Sequence, residues 1–192
     1  MIFFYDPRDP YGFFSNFSRH PVTIYGRTWR TSEHAFQAMK FNPHRPDLVA
    51  VVWEAPTPGK AAELGRNRSF PINDHWDHHE LKMLINLDQP EKLDLFPNDE
   101  LPRPGVHLER CISRLKDLIM YEVVYAKFTQ NEELRKELLA TEDQAIIENA
   151  IHDPYWGCGS SQVGENKLGR ILMTLRGALM NGVGRPLVLN SQ

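Results

Sequence analysis

The chain has 192 residues, enough for one domain with a sizeable core and too few for two comfortable ones. A hydrophobic fraction of 41%, a charged fraction of 24% and a net charge of −3 describe a globular domain with no general electrostatic pull toward polyanions. There is no apolar run of roughly 18 residues, and the start Met1-Ile2-Phe3-Phe4 lacks the basic leader of a signal peptide, so the expectation is a cytoplasmic protein with no membrane partner.

Ile2 to Tyr5 reads as a short strand, closed by the turn residues Asp6, Pro7, Asp9 and Pro10. Gly12-Phe13-Phe14-Ser15-Asn16-Phe17 follows, with two roles open: a core plug, or a loop offering an aromatic ring with Ser15 and Asn16 to a ligand. Val22-Thr23-Ile24, Tyr25-Gly26-Arg27 and Thr28-Trp29 form a hairpin that leads into the stretch Thr31 to Phe41. That stretch predicts a helix capped by Thr31 or Ser32 and stopped near Pro43. At about 100° per residue, Glu33, Gln37 and Lys40 share one face among apolar neighbours. Such a stripe is either solvated or serves a buried site.

Asp47 to Trp53 is amphipathic, and Thr57-Pro58 starts a two-turn helix closed by Gly65. Lys60 in its first turn, with Arg66 and Arg68 just after its end, suits an anion. His75-Trp76-Asp77-His78-His79 matches no common zinc spacing, and Cys111 and Cys158 are too far apart in sequence for a knuckle, so free thiols and no metal are expected. Glu91 to Val106 reads as an inserted loop without period and as the most mobile segment.

Glu109 to Phe128 is the longest helix candidate, with Ile112, Leu115, Ile119 and Val123 in a core pattern. Asn131 caps a shorter helix to Leu139, and Ala145 to Ala150 reads as a brief strand or further helix, leaving Glu148 a candidate inward carboxylate. The loop Asp153 to Asn166 carries Trp156, Gly157, Gly159 and Gly164 and feeds a helix from Lys167 to Met180, with Asn166 as its N-cap. A glycine-bearing loop entering a helix can hold a phosphate on backbone N–H groups.

Gly12-Phe13-Phe14-Ser15-Asn16-Phe17, the run Trp29 to Phe41, the run Thr57 to Arg66, Trp156-Gly157 and the run Asn166-Lys167-Leu168-Gly169-Arg170 together resemble the NADAR, or YbiA-like, family. The likeness covers nearly the whole chain in order and departs from the family between about Leu81 and Glu109, where an extra segment is expected. The resemblance implies an α+β fold, a single mainly helical domain with a small antiparallel sheet, cleaving N-glycosidic bonds without a cofactor. It also implies two substrate classes, namely ADP-ribose linked to guanine, free or in single-stranded nucleic acid, and phosphorylated ribosylamino-pyrimidine intermediates of riboflavin synthesis. A non-catalytic ADP-ribose or NAD binder is a third reading.

Breaking a ribosyl C1′–N bond builds oxocarbenium character, which a fixed carboxylate steadies. Glu33 is the first choice for that carboxylate, with Asp153 and Glu148 as second choices. Lys40 fits attack on C1′ through a Schiff base, or substrate binding with water as the nucleophile. For the substrate, Phe14, Trp29 or Trp156 are candidates to stack a base, and Asn16 and Gln37 to read ribose or base edges. Lys60, Arg66 and the loop from Gly157 to Asn166 are candidates for phosphates, with Gly12, Ser15, Glu148, Gly169 and Arg170 completing the expected pocket. Of the substrates, ADP-ribosyl-guanine comes first and the riboflavin intermediate second, and the presence of Glu33 with Lys40 argues against a pure binder.

Overall fold

The computed structural model describes residues 1–42, 44–77 and 112–182. The expected insertion around 81–109, with His78, His79 and Cys111, lies outside the described residues. Among the described residues the order is β1 (Ile2–Phe4), a 3-10 turn (Gly12–Phe14), β2 (Val22–Ile24), β3 (Arg27–Trp29), α1 (Ser32–Met39), α2 (Pro46–Trp53) and α3 (Pro58–Gly65). Then come α4 (Leu115–Gln130), α5 (Glu132–Leu139), β4 (Ile146–Glu148) and α6 (Lys167–Met180). The architecture is α+β, with helices predominating. None of these helices is long and apolar enough to cross a membrane.

The small antiparallel sheet is the hairpin β2·β3, in register Val22↔Trp29. Tyr25 (φ 56°) and Gly26 (φ 71°) both take the left-handed backbone that a tight two-residue turn requires. The sequence pattern did not reveal that β1 and β4 pair in parallel, with Ile2 opposite Ile146 and Phe4 opposite Glu148. This long-range pairing brings the end of β4 to the N-terminal strand and sets where Glu148 emerges.

Helix starts follow local chemistry. Thr31 and Thr57 accept N–H bonds from His34 and Lys60, and Asn131 accepts one from Leu134. The long helix begins at Leu115 rather than Glu109, because Asp117 Oδ2 accepts the backbone N–H groups of Ser113 and Arg114 and closes a capping box there. Ile112 is therefore outside the helix. Asn166 does not cap α6 with its side chain, as its spacing predicted. It adopts φ 49° and its amide turns to β4, accepting from Glu148 N–H and donating to Ile146 C=O.

The core lies between α1, α4 and α6 and the two strand pairs, with Phe14, Trp29, Val123, Ile146, Ile171 and Leu175 closed to solvent. Each such side chain contributes about 1.5–3 kcal/mol of transfer free energy. Lys127, only 1% exposed, lies inside this core and donates to Phe13 C=O, Ser15 C=O (2.9 Å) and Ser18 Oγ (2.7 Å). It ties the aromatic loop to α4.

Candidate active site

Every residue of α1 from Ser32 to Met39 is buried, so its polar stripe faces protein rather than solvent. Glu33 N–H donates to Asn16 C=O at 3.1 Å, which seats the helix start on the aromatic loop. One turn on, Gln37 Nε2 donates to Glu33 Oε1 at 2.7 Å. Lys40 Nζ donates to Gly65 C=O at 3.0 Å and lies 5.8 Å and 5.9 Å from the ring centroids of Phe36 and Trp76. Burial pushes the Glu33 carboxyl up, opposed by the Gln37 hydrogen bond and the charges of Lys40 and Arg66. Burial likewise pushes the Lys40 amine down, against the pull of Glu33.

Opposite this helix stands Glu148, at the end of β4. Its backbone is held on both sides, by Asn166 at its N–H and Cys158 N–H at its carbonyl. The carboxyl oxygen Oε2 is sealed from solvent without a hydrogen-bond partner. Burial first, then the negative charges of Asp153 and Glu33, push its pKa up to about 8. Asp153 turns its own loop, as Oδ1 accepts the N–H groups of Tyr155 (3.0 Å) and Trp156 (2.8 Å). The Trp156 ring meets Phe36 edge-on at 5.4 Å, closing the loop against α1. Three carboxyl groups, one amine and one indole thus converge from α1, β4 and the Asp153 loop, with Arg66 at the rim.

Glu33, Gln37, Lys40, Arg66, Glu148, Asp153 and Trp156 are therefore brought together. Several other expected site residues are not. Phe14 is 0% exposed and packs against Phe4 and Phe128, so it is the core plug and not a stacking ring. Trp29 is equally buried, its indole N–H held by Ile24 C=O. Ser15 Oγ accepts Phe17 N–H within the loop, and Asn16 Nδ2 donates to Met120 Sδ on α4, with Asn16 Oδ1 buried and without a hydrogen-bond partner. Gly12 has no room for a side chain because a Cβ would stand 2.5 Å from Asp6 C=O.

Lys60 pairs with Glu63 at 2.7 Å on the exposed face of α3, at the other end from Gly65. The Gly157–Asn166 loop commits most of its N–H groups to its own fold. Its N–H groups at Gly157, Cys158, Gly159, Gly164, Glu165 and Asn166 all bond to carbonyls of the chain. Gly157 is small because a Cβ would meet Glu148 C=O at 2.7 Å, and Gly169 because one would meet Ile146 C=O at 2.2 Å. Arg170 is exposed on α6, outside the group. The pattern did not single out Trp76, Tyr155 or the cations beside it, since they come from separate segments with no shared spacing.

The chain belongs to the NADAR domain family, whose model matches residues 3–88 and 108–180. It is 35% identical over 178 residues to the N-glycosidase YbiA of Shigella boydii, covering 92% of this chain and 86% of that one. It is 32% identical over 181 residues to an N-glycosidase of Nostoc punctiforme, covering 94% and 93%. A chloroplastic riboflavin biosynthesis protein PYRR of Zea mays is 31% identical over 95% of this chain, which spans 26% of that protein. The NMR structure of Escherichia coli YbiA superposes with a TM-score of 0.67 at 32% identity, covering 96% of this chain and 88% of that one. The activity class these relatives support is that of a glycosidase acting on N-glycosidic bonds.

Proposed function

We propose that the chain hydrolyses the C1′–N bond joining a phosphorylated ribosyl group to a nitrogen base, with Glu148 as proton donor, Lys40 as nucleophile and Glu33 as the carboxylate beside C1′. The observation that carries this reading is the Glu148 carboxyl, whose Oε2 is sealed from solvent without a hydrogen-bond partner and whose pKa is pushed up to about 8 by burial and by the charges of Asp153 and Glu33. A leaving nitrogen needs a proton, and a carboxyl with a pKa near 8 delivers one.

Lys40 Nζ attacks C1′ as the C1′–N bond breaks, its electron pair going to the base nitrogen, which takes the Glu148 proton. The proton lost by the attacking amine passes to Glu33. The sugar ring then opens to a Schiff base on Lys40, and water releases the sugar and the free amine. Until it takes that proton, the Glu33 carboxylate steadies the positive charge that builds at C1′ as the C1′–N bond breaks. A pure binder has no need of a protonated carboxyl coupled to Glu33, which is itself coupled to the Lys40 amine.

A phosphorylated ribosylamino-pyrimidine is the favoured substrate, supported by the similarity over nearly the whole chain to a named riboflavin biosynthesis protein. A second reading, ADP-ribose linked to guanine in a nucleotide or in single-stranded nucleic acid, rests on the family resemblance. The test is product release by the wild type, E33Q and E148Q from each substrate in parallel. Release of ribose 5-phosphate supports the first, release of ADP-ribose from a guanine-modified oligonucleotide the second. No release from either by folded wild type overturns both.

A further inference from the structure

The amides of a helix's first turn have no acceptor within the helix and must find one elsewhere. Glu33 N–H finds Asn16 C=O at 3.1 Å, so the place of the Glu33 carboxylate depends on where the aromatic loop holds that carbonyl. The loop is in turn held by α4. Lys127 stands in the last turn of that helix, where the peptide dipoles favour a cation, and donates to Phe13 C=O, Ser15 C=O and Ser18 Oγ. Two turns earlier Met120 Sδ accepts Asn16 Nδ2 at 3.1 Å, and next to Lys127 the Phe128 ring packs on Phe14.

An ammonium carries three N–H groups, and here each meets an oxygen of the loop. Ser18 N–H also reaches Ser15 C=O at 3.1 Å and Ser18 Oγ reaches Phe13 C=O at 3.4 Å, so the ammonium knits both ends of the loop onto one atom. The carbonyl that Lys127 fixes and the carbonyl that takes Glu33 N–H belong to successive residues, Ser15 and Asn16. Because peptide units are planar, only φ and ψ of Asn16 separate them, and the Asn16 side chain is itself tied to α4. A turn of the Ser15 carbonyl therefore moves the acceptor of Glu33.

Burying an ammonium is costly, and filling core space calls for an apolar side chain. The oxygens gathered by Lys127 are instead those that order the Asn16 peptide. Gln37 fixes Glu33 at its carboxylate oxygen, and the loop fixes it at its backbone. We propose that Lys127 is a positioning residue for the glycosidase reaction: through Ser15 and Asn16 it holds the start of α1, and with it the Glu33 carboxylate, in place beside the sugar carbon. Lys127 touches no substrate, being buried in the core. The proposal rests on the reading of Glu33 as the carboxylate beside C1′.

The experiment is a double-mutant cycle on the full chain, with kcat and KM measured on the phosphorylated ribosylamino-pyrimidine and folding checked by circular dichroism. The variants are K127M and S18A, each alone and combined with E33Q, and E33Q alone; S18A removes one acceptor of the ammonium and keeps Lys127. K127M should lower kcat about tenfold or more at nearly unchanged KM, and S18A a few-fold. Neither should lower the residual kcat of E33Q much further, because both act through the same carboxylate. In isotope-labelled K127M and S18A the Glu33 amide proton should move upfield, as its hydrogen bond lengthens, while that of Leu172 in α6 stays. An equal fold loss of kcat in the wild-type and E33Q backgrounds, or a Glu33 amide proton that does not move, overturns the positioning role. If K127M does not fold, S18A decides by the same two readouts. Full activity of E33Q overturns the reading of Glu33 itself, an outcome distinct from an additive loss in the cycle.

Discussion

Glu33 and Gln37, one helical turn apart, share a 2.7 Å hydrogen bond at a place where they are 7% and 6% exposed. The amide orients the carboxylate and offsets part of the cost of its burial. Replacing Glu33 with Gln keeps the volume and removes the charge. Turnover should fall about 10²–10³-fold, the effect of losing a preorganised electrostatic group, with substrate affinity retained. Single-turnover kinetics beside equilibrium binding check this, and full activity removes Glu33 from the reaction.

Gly65 makes that hydrogen bond possible. A Cβ there would stand 1.9 Å from Gln37 Oε1 and 2.7 Å from its Cδ, so Gly65→Ala must displace the amide from Glu33. A hydrogen bond to a charged group is worth about 1.5–3 kcal/mol, so the expected loss in kcat is ~10-fold or more. Gln37→Ala should match it, and measuring kcat and Tm for both variants separates lost orientation from lost stability.

The raised pKa of Glu148 sets a sign for stability against pH. The folded carboxyl keeps its proton up to about 8 while the unfolded one releases it near the ordinary 4.5, so the folded state binds more protons between those values. Stability supplied by this group is complete below about 4.5 and is lost as pH rises toward 8. The difference amounts to a few kcal/mol on the order-of-magnitude scale of such shifts. Glu148→Gln should flatten that slope in urea titrations across pH and abolish the fall in kcat/KM above about pH 8 that an acid catalyst produces.

Lys40 carries the covalent step, so borohydride added during turnover should leave a reduced sugar adduct on Lys40, detectable by mass spectrometry. Lys40→Ala should give no adduct. An active wild-type protein that forms none assigns the attack on C1′ to water.

Lys127 is pushed down to about 7 by burial, while its ordinary value is 10.5. Between those values the unfolded chain binds more protons, so this group makes stability rise with pH over that window. Lys127→Met removes the slope and leaves Phe13 C=O, Ser15 C=O and Ser18 Oγ without their donor. The expected cost is about 3 kcal/mol or more, read as a lower denaturant midpoint at unchanged m.

Local chemistry made much of this molecule legible in the amino-acid order. The spacing of Glu33, Gln37 and Lys40 placed them on one helix face, and Thr31, Thr57 and Asn131 marked helix starts, because capping and periodicity act over three or four residues. Glu148 also showed as a carboxylate worth noting, in a segment that reads as a brief strand or further helix. Tertiary structure alone decided the rest. Whether Phe14 and Trp29 stack on a ligand or fill the core depends on which surfaces cover them, and the parallel pairing of β1 with β4 spans more than 140 residues. That most N–H groups of the glycine loop are taken by carbonyls follows only from the folded chain. The pKa of Glu148 and the crowding of Arg114, Lys116 and Lys167 around Tyr155 are long-range electrostatic facts, since burial and charge coupling depend on distance in space and not on separation along the chain.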